Sequence, residues 1–179
     1  MAFVHFGIHT EFSITDSIVR IKALVKAAKA DNQLALAISD LSNLYATVKF
    51  YKACLDAGIK PIIGSEVWLE NDSTTVTLLA NNQVGYKNLT KLCSLGFIEG
   101  MYSKYPRIDK DLILKHHEGL IATTCCLGAM VPQTILRHGE EAARKEFEWW
   151  LDLFGEDYYI ELQRHQMADQ DKVNEGHAG

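Results

Sequence analysis

Residues 4–13 read Val-His-Phe-Gly-Ile-His-Thr-Glu-Phe-Ser, an apolar run that passes into a polar segment. The pattern predicts a short buried strand followed by a loop, and in α/β folds such strand ends carry the chemistry. His9 is a potential metal ligand, but the residue two positions earlier, which would face the same way on a strand, is Gly7. One donor beside one empty position indicates a metal site that has lost a ligand.

The composition of the chain is that of one folded domain without a strongly charged surface. It has 179 residues, of which 47% are hydrophobic and 23% charged, and its net charge is −5. This charge does not predict a footprint for nucleic-acid phosphates, so contact with DNA is expected only through a larger assembly. Four cysteines without the spacing of a disulfide framework favour a cytoplasmic location. No signal sequence or membrane-spanning run is recognised, so no membrane partner is expected.

Predicted strands and helices alternate along the rest of the chain. The strands fall at 34–38, 61–69, 75–80, 119–123 and 158–162, with a turn at 71–73. The helices fall at 18–28, beginning near Asp16 or Ser17, at 44–57, ended by Gly58, at 84–97, at 110–116 and, with a break near Gly139, at 128–154. A further helix begins in the polar tail after residue 163. This alternation predicts an α/β fold with a mainly parallel sheet.

Polar residues follow several of these strands and are expected to meet at one edge of the sheet. They are His9, Asp40, Glu66 and Cys126, with Asp16 in the first loop. Carboxylates, imidazoles and thiolates are the donors that divalent transition metals bind. Taken singly, each has a structural interpretation: the aspartates as helix caps, the glutamate as a solvated loop residue, and the cysteine as a small buried hydrophobe. Their shared location favours a metal site.

Other conspicuous residues are interpreted as structural. His116 and His117 would point about 100° apart on a helix, so they are not expected to chelate one ion. The pair at 125–126 lacks the C-x-x-C spacing of zinc or redox sites. The pair at 149–150, two tryptophans, is expected to pack its helix into the core, and His165 is expected at the surface.

Seven segments carry a resemblance to a known family. They are residues 3–13, 48–53, 58–66, 78–82, 85–89, 106–109 and 118–121, and they extend over most of the chain. They resemble the N-terminal PHP (polymerase and histidinol phosphatase) domain of the bacterial DNA polymerase III alpha subunit. The resemblance implies a distorted seven-stranded (β/α) barrel. It also implies that residues 1–179 form a single PHP domain truncated before its last strand or strands.

The resemblance also implies which positions once held metal. Metal-binding members of this superfamily hold three cations at the strand ends. Their ligand positions fall on residues that keep a donor, namely His9, Asp16, Asp40, Glu66 and Cys126, and on residues that lose it, namely Gly7, Leu41 and Thr75. A closing Asp-x-His motif should lie beyond residue 179. Glycine and leucine offer no lone pair, so no metal is expected at full occupancy and no catalytic residue is assigned.

The resemblance therefore predicts a metal-poor structural and docking domain. The parent protein would be a DNA-directed DNA polymerase whose Mg²⁺ site lies outside this fragment. Expected partners are the rest of the alpha chain and the proofreading exonuclease (epsilon) subunit, with DNA reached only through the holoenzyme. The emptied pocket should be refilled by hydrogen bonds, so Asp40 and His9 are expected to be bonded within the protein or through water. The alternative is a residual Zn²⁺- or Mn²⁺-dependent phosphoesterase, a pyrophosphatase or 3′ exonuclease, acting through Glu66, Cys126 and His9.

Overall fold

A computed structural model describes residues 3–70, 74–163 and 166–178 of the chain. The turn predicted at 71–73 and the surface position predicted for His165 lie outside these residues. None of the helices found in these three ranges is long and apolar enough to cross a membrane.

The described residues form one seven-stranded sheet with helices packed on it, which confirms the predicted α/β class. The strands are β1 (Ala35–Leu41), β2 (Lys60–Leu69), β3 (Thr75–Ala80), β4 (Met101–Tyr102), β5 (Tyr105–Ile108), β6 (Leu120–Thr123) and β7 (Tyr158–Tyr159). They are ordered β4-β5-β2-β3-β6-β7, and β1 also pairs with β2. The hairpin of β4 and β5 lies between the helices predicted at 84–97 and 110–116, where no strand was predicted, and β7 is shorter than the predicted strand at 158–162.

The prediction of a mainly parallel sheet is wrong. Parallel pairing joins β1 to β2, β2 to β5 and β6 to β7, whereas β2 to β3, β3 to β6 and β4 to β5 are antiparallel. The antiparallel pairing of β2 with β3 follows from the short connection between them, because a parallel return needs a crossover of a dozen or more residues. The reversal of β3 brings its first residues, beginning at Thr75, to the edge where β1 and β2 end.

The opening segment is not the predicted strand. Residues 3–10 have irregular backbone but lie along the free edge of β1. The carbonyl of His5 accepts a hydrogen bond from the Ala37 amide at 3.1 Å, and that of Ile8 accepts one from the Ser39 amide at 2.8 Å. Two alternate backbone bonds are enough to align the segment with the sheet, so His9 still reaches the edge predicted for it.

The described helices cover the sheet and begin and end mostly as predicted. They are α1 (Ile21–Ala30), α2 (Thr47–Ala57), α3 (Gln83–Ile98), α4 (Lys110–His116), α5 (Met130–His138), α6 (Glu140–Phe154) and α7 (Ala168–Ala178). Gly58 ends α2 with φ of +73°, and Gly139 separates α5 from α6. The predicted start of α1 at Asp16 or Ser17 is wrong, because the Ser17 hydroxyl instead donates to the His9 carbonyl at 2.7 Å.

Two hydrophobic clusters form the core. One contains residues of α1, α2, β1 and β2. The other contains residues of the four helices α3, α4, α5 and α6 and of the strands β2, β3 and β6. Trp150 is 1% exposed in the second cluster and Trp149 packs against it, which confirms the prediction for this pair. Within the described residues the sheet is not closed by strand pairing between β7 and the opening segment. A groove of about 860 Å³ is lined by residues of 3–7 and 159–162.

Candidate functional site

His9 lies between two carboxylates. Its Nδ1 contacts Oδ2 of Asp16, and its Nε2 lies 2.9 Å from Oε2 of Glu66. The imidazole and the Glu66 carboxylate are only 20% and 10% exposed, whereas Asp16 is half exposed. Both ring nitrogens of His9 are therefore engaged by protein groups, and the protonated ring can donate to both carboxylates at once.

The two carboxylates keep this histidine charged. Burial alone would lower the pKa of His9, but the hydrogen bonds and charges of Glu66 and Asp16 outweigh it and raise the pKa to about 9. Burial would likewise raise the pKa of Glu66, but the hydrogen bond and charge of His9 lower it, assisted by the Thr75 hydroxyl and the Cys125 thiol. At neutral pH the pair is an imidazolium and a carboxylate, so the charge of His9 offsets that of Glu66 inside the pocket.

Asp40 forms a second, fully buried hydrogen-bond network. It is 1% exposed and accepts hydrogen bonds from the Thr10 amide at 2.6 Å, the Thr10 hydroxyl at 2.7 Å and the Ser13 hydroxyl at 2.7 Å. Three donors satisfy most of the lone pairs of this carboxylate. The expectation that Asp40 and His9 would be hydrogen-bonded is confirmed, and the interpretation of Asp40 and Asp16 as helix caps is wrong.

The positions predicted to lack a donor lie around these networks. Leu41 pairs with Glu66 in the register of β1 and β2. Thr75 is buried at the start of β3. A Cβ at Gly7 would lie 3.3 Å from Oε1 of Glu161, so that carboxylate stands beside the space that a larger side chain would take.

Glu161 is a neighbour of the site that the sequence analysis missed. Its carboxylate accepts hydrogen bonds from the Thr123 hydroxyl at 3.2 Å and from Nε2 of Gln163 at 2.9 Å. Its position just beyond β7 could have suggested it, because β7 is parallel to β6 and ends at the same edge. It contributes a negative charge near Cys126, where it opposes formation of the thiolate.

The adjacent cysteines form the other half of the site. One ligand atom each from Glu66, Cys125 and Cys126 lies within 4.8 Å of the others. The Thr77 hydroxyl donates to Sγ of Cys125 at 3.1 Å, and the hydrogen bond between the two thiols lowers the pKa of Cys126 and raises that of Cys125. The sequence analysis set this pair aside because it lacks the C-x-x-C spacing, whereas the structure places both sulfur atoms beside Glu66. The signal for it was the placement of both residues directly after β6.

The site therefore gathers most of the predicted residues at one sheet edge. His9, Asp16 and Glu66 share one network, and Glu66 also belongs to the thiol cluster with Cys126. Asp40 lies one position along β1 from the partner of Glu66, but its hydrogen bonds go to the first loop. Chemically, the arrangement offers a partly buried imidazolium, a hydrogen-bonded buried carboxylate and one group of three potential metal donors.

Comparison with known proteins places this arrangement in a family. The sequence profile of the PHP domain matches residues 5–165. DNA polymerase III subunit alpha of Borreliella burgdorferi is 42% identical over 186 aligned positions, which cover 97% of this chain and 16% of that protein. The subunits of the same name from Thermus aquaticus and Pseudomonas aeruginosa are 37% and 38% identical, and the alignments cover 98% and 96% of this chain.

Structural similarity is weaker. The crystal structure of a proposed metal-dependent phosphoesterase from Bifidobacterium adolescentis aligns with a TM-score of 0.38 and 18% identity, covering 51% of this chain and 31% of that chain. A TM-score this low does not establish a shared fold. This chain spans 15% to 16% of the length of the three polymerase subunits. Since the family profile extends over most of its residues, the chain belongs to the PHP domain family.

Proposed function

We propose that this chain is the PHP domain of a bacterial DNA polymerase III alpha subunit and serves there as a structural and partner-docking domain. Its similarity along nearly its whole length to three such subunits supports the assignment to that protein. Residues 1–179 then form a single domain of a cytoplasmic polymerase. The parent carries out DNA-directed DNA synthesis with Mg²⁺ bound elsewhere in its chain.

The observation that carries the docking role is the hydrogen bonding of His9 and Asp40. Both nitrogens of His9 contact carboxylates, and the carboxylate of Asp40 accepts three hydrogen bonds from the first loop. A metal ligand needs a free lone pair, and a protonated imidazole has none. Gly7 and Leu41 offer no donor atom. The residues present therefore do not fit a three-cation centre, and we infer that the domain does not perform metal-dependent hydrolysis.

Without hydrolysis, the retained role is to bind other proteins. The partners that we propose are the rest of the alpha chain and the proofreading exonuclease (epsilon) subunit, with DNA reached only through the assembled holoenzyme. The net charge of −5 supports the last point, because it disfavours independent binding to DNA phosphates.

The test is a binding titration between this chain and the proofreading exonuclease encoded in the same genome. Saturable binding is expected. The Glu66→Gln variant, which removes a possible metal donor, should bind equally well because docking does not depend on the pocket. No binding to the folded chain would contradict the docking role.

The second candidate is a residual phosphoesterase, and the clustering of Glu66, Cys125 and Cys126 is the observation that favours it. It requires hydrolysis of pyrophosphate or of a DNA 3′ end that depends on Zn²⁺ or Mn²⁺. The docking proposal predicts no such hydrolysis by the purified chain. Hydrolysis that is present in the parent and lost in Glu66→Gln would overturn the non-catalytic role.

A further inference from the structure

The adjacent cysteines after β6 have no part in the docking role. Cys125 is buried, Cys126 is partly buried, and both are free thiols. On an extended strand, neighbouring side chains point to opposite faces of the sheet, so two adjacent sulfur atoms would lie apart. Here φ of Cys125 is +57°, in the left-handed region, and the two sulfur atoms lie within 4.8 Å of each other. The backbone therefore brings two thiols to the same side of the chain.

Hydrogen bonds hold the chain on both sides of this pair. The Cys125 amide donates to the Thr123 hydroxyl at 3.2 Å, and the Cys126 carbonyl accepts from the Ala129 amide at 2.9 Å. The two thiols hydrogen-bond to each other, and the Thr77 hydroxyl donates to Sγ of Cys125 at 3.1 Å. Groups that already face each other react faster than groups free in solution, because less orientational freedom is lost in the transition state. The pair is thus arranged for a reaction between its own sulfur atoms.

The other two cysteines lie in different elements. Cys54 belongs to α2 and Cys93 to α3, and each is buried in a different hydrophobic cluster. Cys126 is only partly buried, so it is the most accessible of the four thiols. A small oxidant therefore reaches Cys126 first, and the thiol beside it is that of Cys125.

We propose that Cys125 and Cys126 are a redox modification site, which hydrogen peroxide converts into a disulfide between the two adjacent residues. Cys126 loses its proton and its sulfur attacks one peroxide oxygen, so the O–O bond breaks, a sulfenic acid forms and hydroxide leaves. That hydroxide takes the proton of Cys125 and becomes water. The Cys125 sulfur then attacks the sulfenic sulfur, and the departing hydroxide takes up the first proton. The two sulfur atoms give two electrons to the peroxide, which becomes two water molecules.

This disulfide is reversible, because it is strained. Adjacent Cα atoms lie about 3.8 Å apart across a trans peptide, whereas disulfide-linked residues usually have Cα atoms roughly 4.4–6.8 Å apart. Strain makes a disulfide easier to reduce, so a dithiol restores both thiols. The disulfide also protects Cys126 from irreversible oxidation to the sulfinic acid. The inference is independent of the docking role, because a chain that binds the exonuclease but keeps both thiols would contradict only this site.

The test follows one tryptic peptide, residues 116–137, which contains Cys125 and Cys126 but neither of the other cysteines. The reduced chain is treated with hydrogen peroxide and dimedone, a trap for sulfenic acids, then unfolded in iodoacetamide, digested and weighed by mass spectrometry. The parent peptide should lose both alkylatable thiols together, weigh two hydrogen atoms less than the reduced peptide and regain both thiols in dithiothreitol. Cys93→Ala, which removes a buried thiol in α3, is the matched control and should behave as the parent does.

The partner thiol is tested with Cys125→Ser, which leaves the sulfenic acid of Cys126 without a thiol to react with. This variant should accumulate the dimedone adduct of Cys126 at least about tenfold more than the parent does. Equal amounts of adduct in the two proteins would overturn the proposal. So would two thiols that stay alkylatable in the peroxide-treated parent, or a disulfide to a second copy. Thermal melting shows whether the serine variant is folded, and if it is not, Cys125→Gly, which suits a φ of +57°, provides the same comparison.

Discussion

The polar groups of the candidate site differ in their hydrogen bonding between the end of β1 and β2 and the end of β6. Where β1 and β2 end, Asp40 is bonded to the first loop and His9 to two carboxylates, so these side chains are tied to the fold. Where β6 ends, Cys125 and Cys126 are free thiols next to Glu66. Residues that share one sheet edge can therefore divide into a part whose charged groups are hydrogen-bonded to the fold and a part whose thiols remain free.

The largest effect is expected from removing the Asp40 carboxylate, which accepts the hydrogen bonds of the first loop. Asp40→Ala leaves two buried donors of Thr10 and one of Ser13 without a partner. Each buried unsatisfied group costs about 1–3 kcal/mol, so the free energy of unfolding should fall by at least about 3 kcal/mol in urea denaturation. Asp16→Ala, at a half-exposed carboxylate, is the control and should have a much smaller effect. Similar losses in the two variants would erase the distinction between the halves.

The next effect is a dependence of stability on pH through His9. Its pKa is raised from 6.5 to about 9, so its contribution is fully present below pH 6.5 and is lost as the pH rises through about 9. The shift corresponds to about 3 kcal/mol of stability. The lowered pKa of Glu66 has the opposite effect on the pH dependence, because its contribution to stability is lost as the pH falls through that pKa. Denaturation midpoints measured against pH should show the alkaline loss in the parent but not in His9→Gln.

A smaller effect is expected at Ser13. Its hydroxyl donates to Asp40 at 2.7 Å and accepts from the Leu41 amide at 3.0 Å, so it links the first loop to the end of β1. Ser13→Ala should lower the free energy of unfolding by about 1–2 kcal/mol, again measured in urea. Ser94→Ala is the control and should be nearly neutral, because that exposed hydroxyl bonds to the Thr90 carbonyl within α3. A neutral Ser13→Ala would show that the Ser13 hydroxyl does not hold the loop to β1.

The smallest effect is expected at the thiol end. Cys125→Gly removes a buried sulfur but relieves a left-handed backbone with φ of +57°. These contributions oppose each other, so stability should stay within about 1 kcal/mol of the parent. Loss of several kcal/mol in calorimetry would mean that Cys125 stabilises the fold in the way that Asp40 does.

The sequence predicted the position of the site better than its bonding. His9, Glu66 and Cys126 were placed at one edge because each follows a strand or a strand-like segment, and that location is correct. The partners of His9 could not be read from the sequence, because they depend on side-chain directions across two elements. The position of Cys125 beside Glu66 could not be read from its spacing, because it depends on a left-handed backbone at that residue.

The fold shows the same division between local and long-range information. Gly58 and Gly139 ended helices as predicted, because the conformation of a helix end is a local property. The prediction of a mainly parallel sheet was wrong because it followed from the alternation of strands and helices and did not consider the short connection between β2 and β3. The opening segment failed as a strand because its hydrogen bonds to β1 are too few for regular pairing, although its place beside the sheet was right.

The central claim is that a protonated His9, held by Asp16 and Glu66, fills the place where a metal ligand would be needed. Nitrogen NMR of the His9 ring in the metal-free chain, followed from neutral to alkaline pH, tests this directly. Both ring nitrogens should carry a proton at neutral pH, with a titration midpoint near pH 9. A midpoint near the ordinary value of 6.5, with one nitrogen unprotonated at neutral pH, would leave a lone pair free for metal and contradict the account.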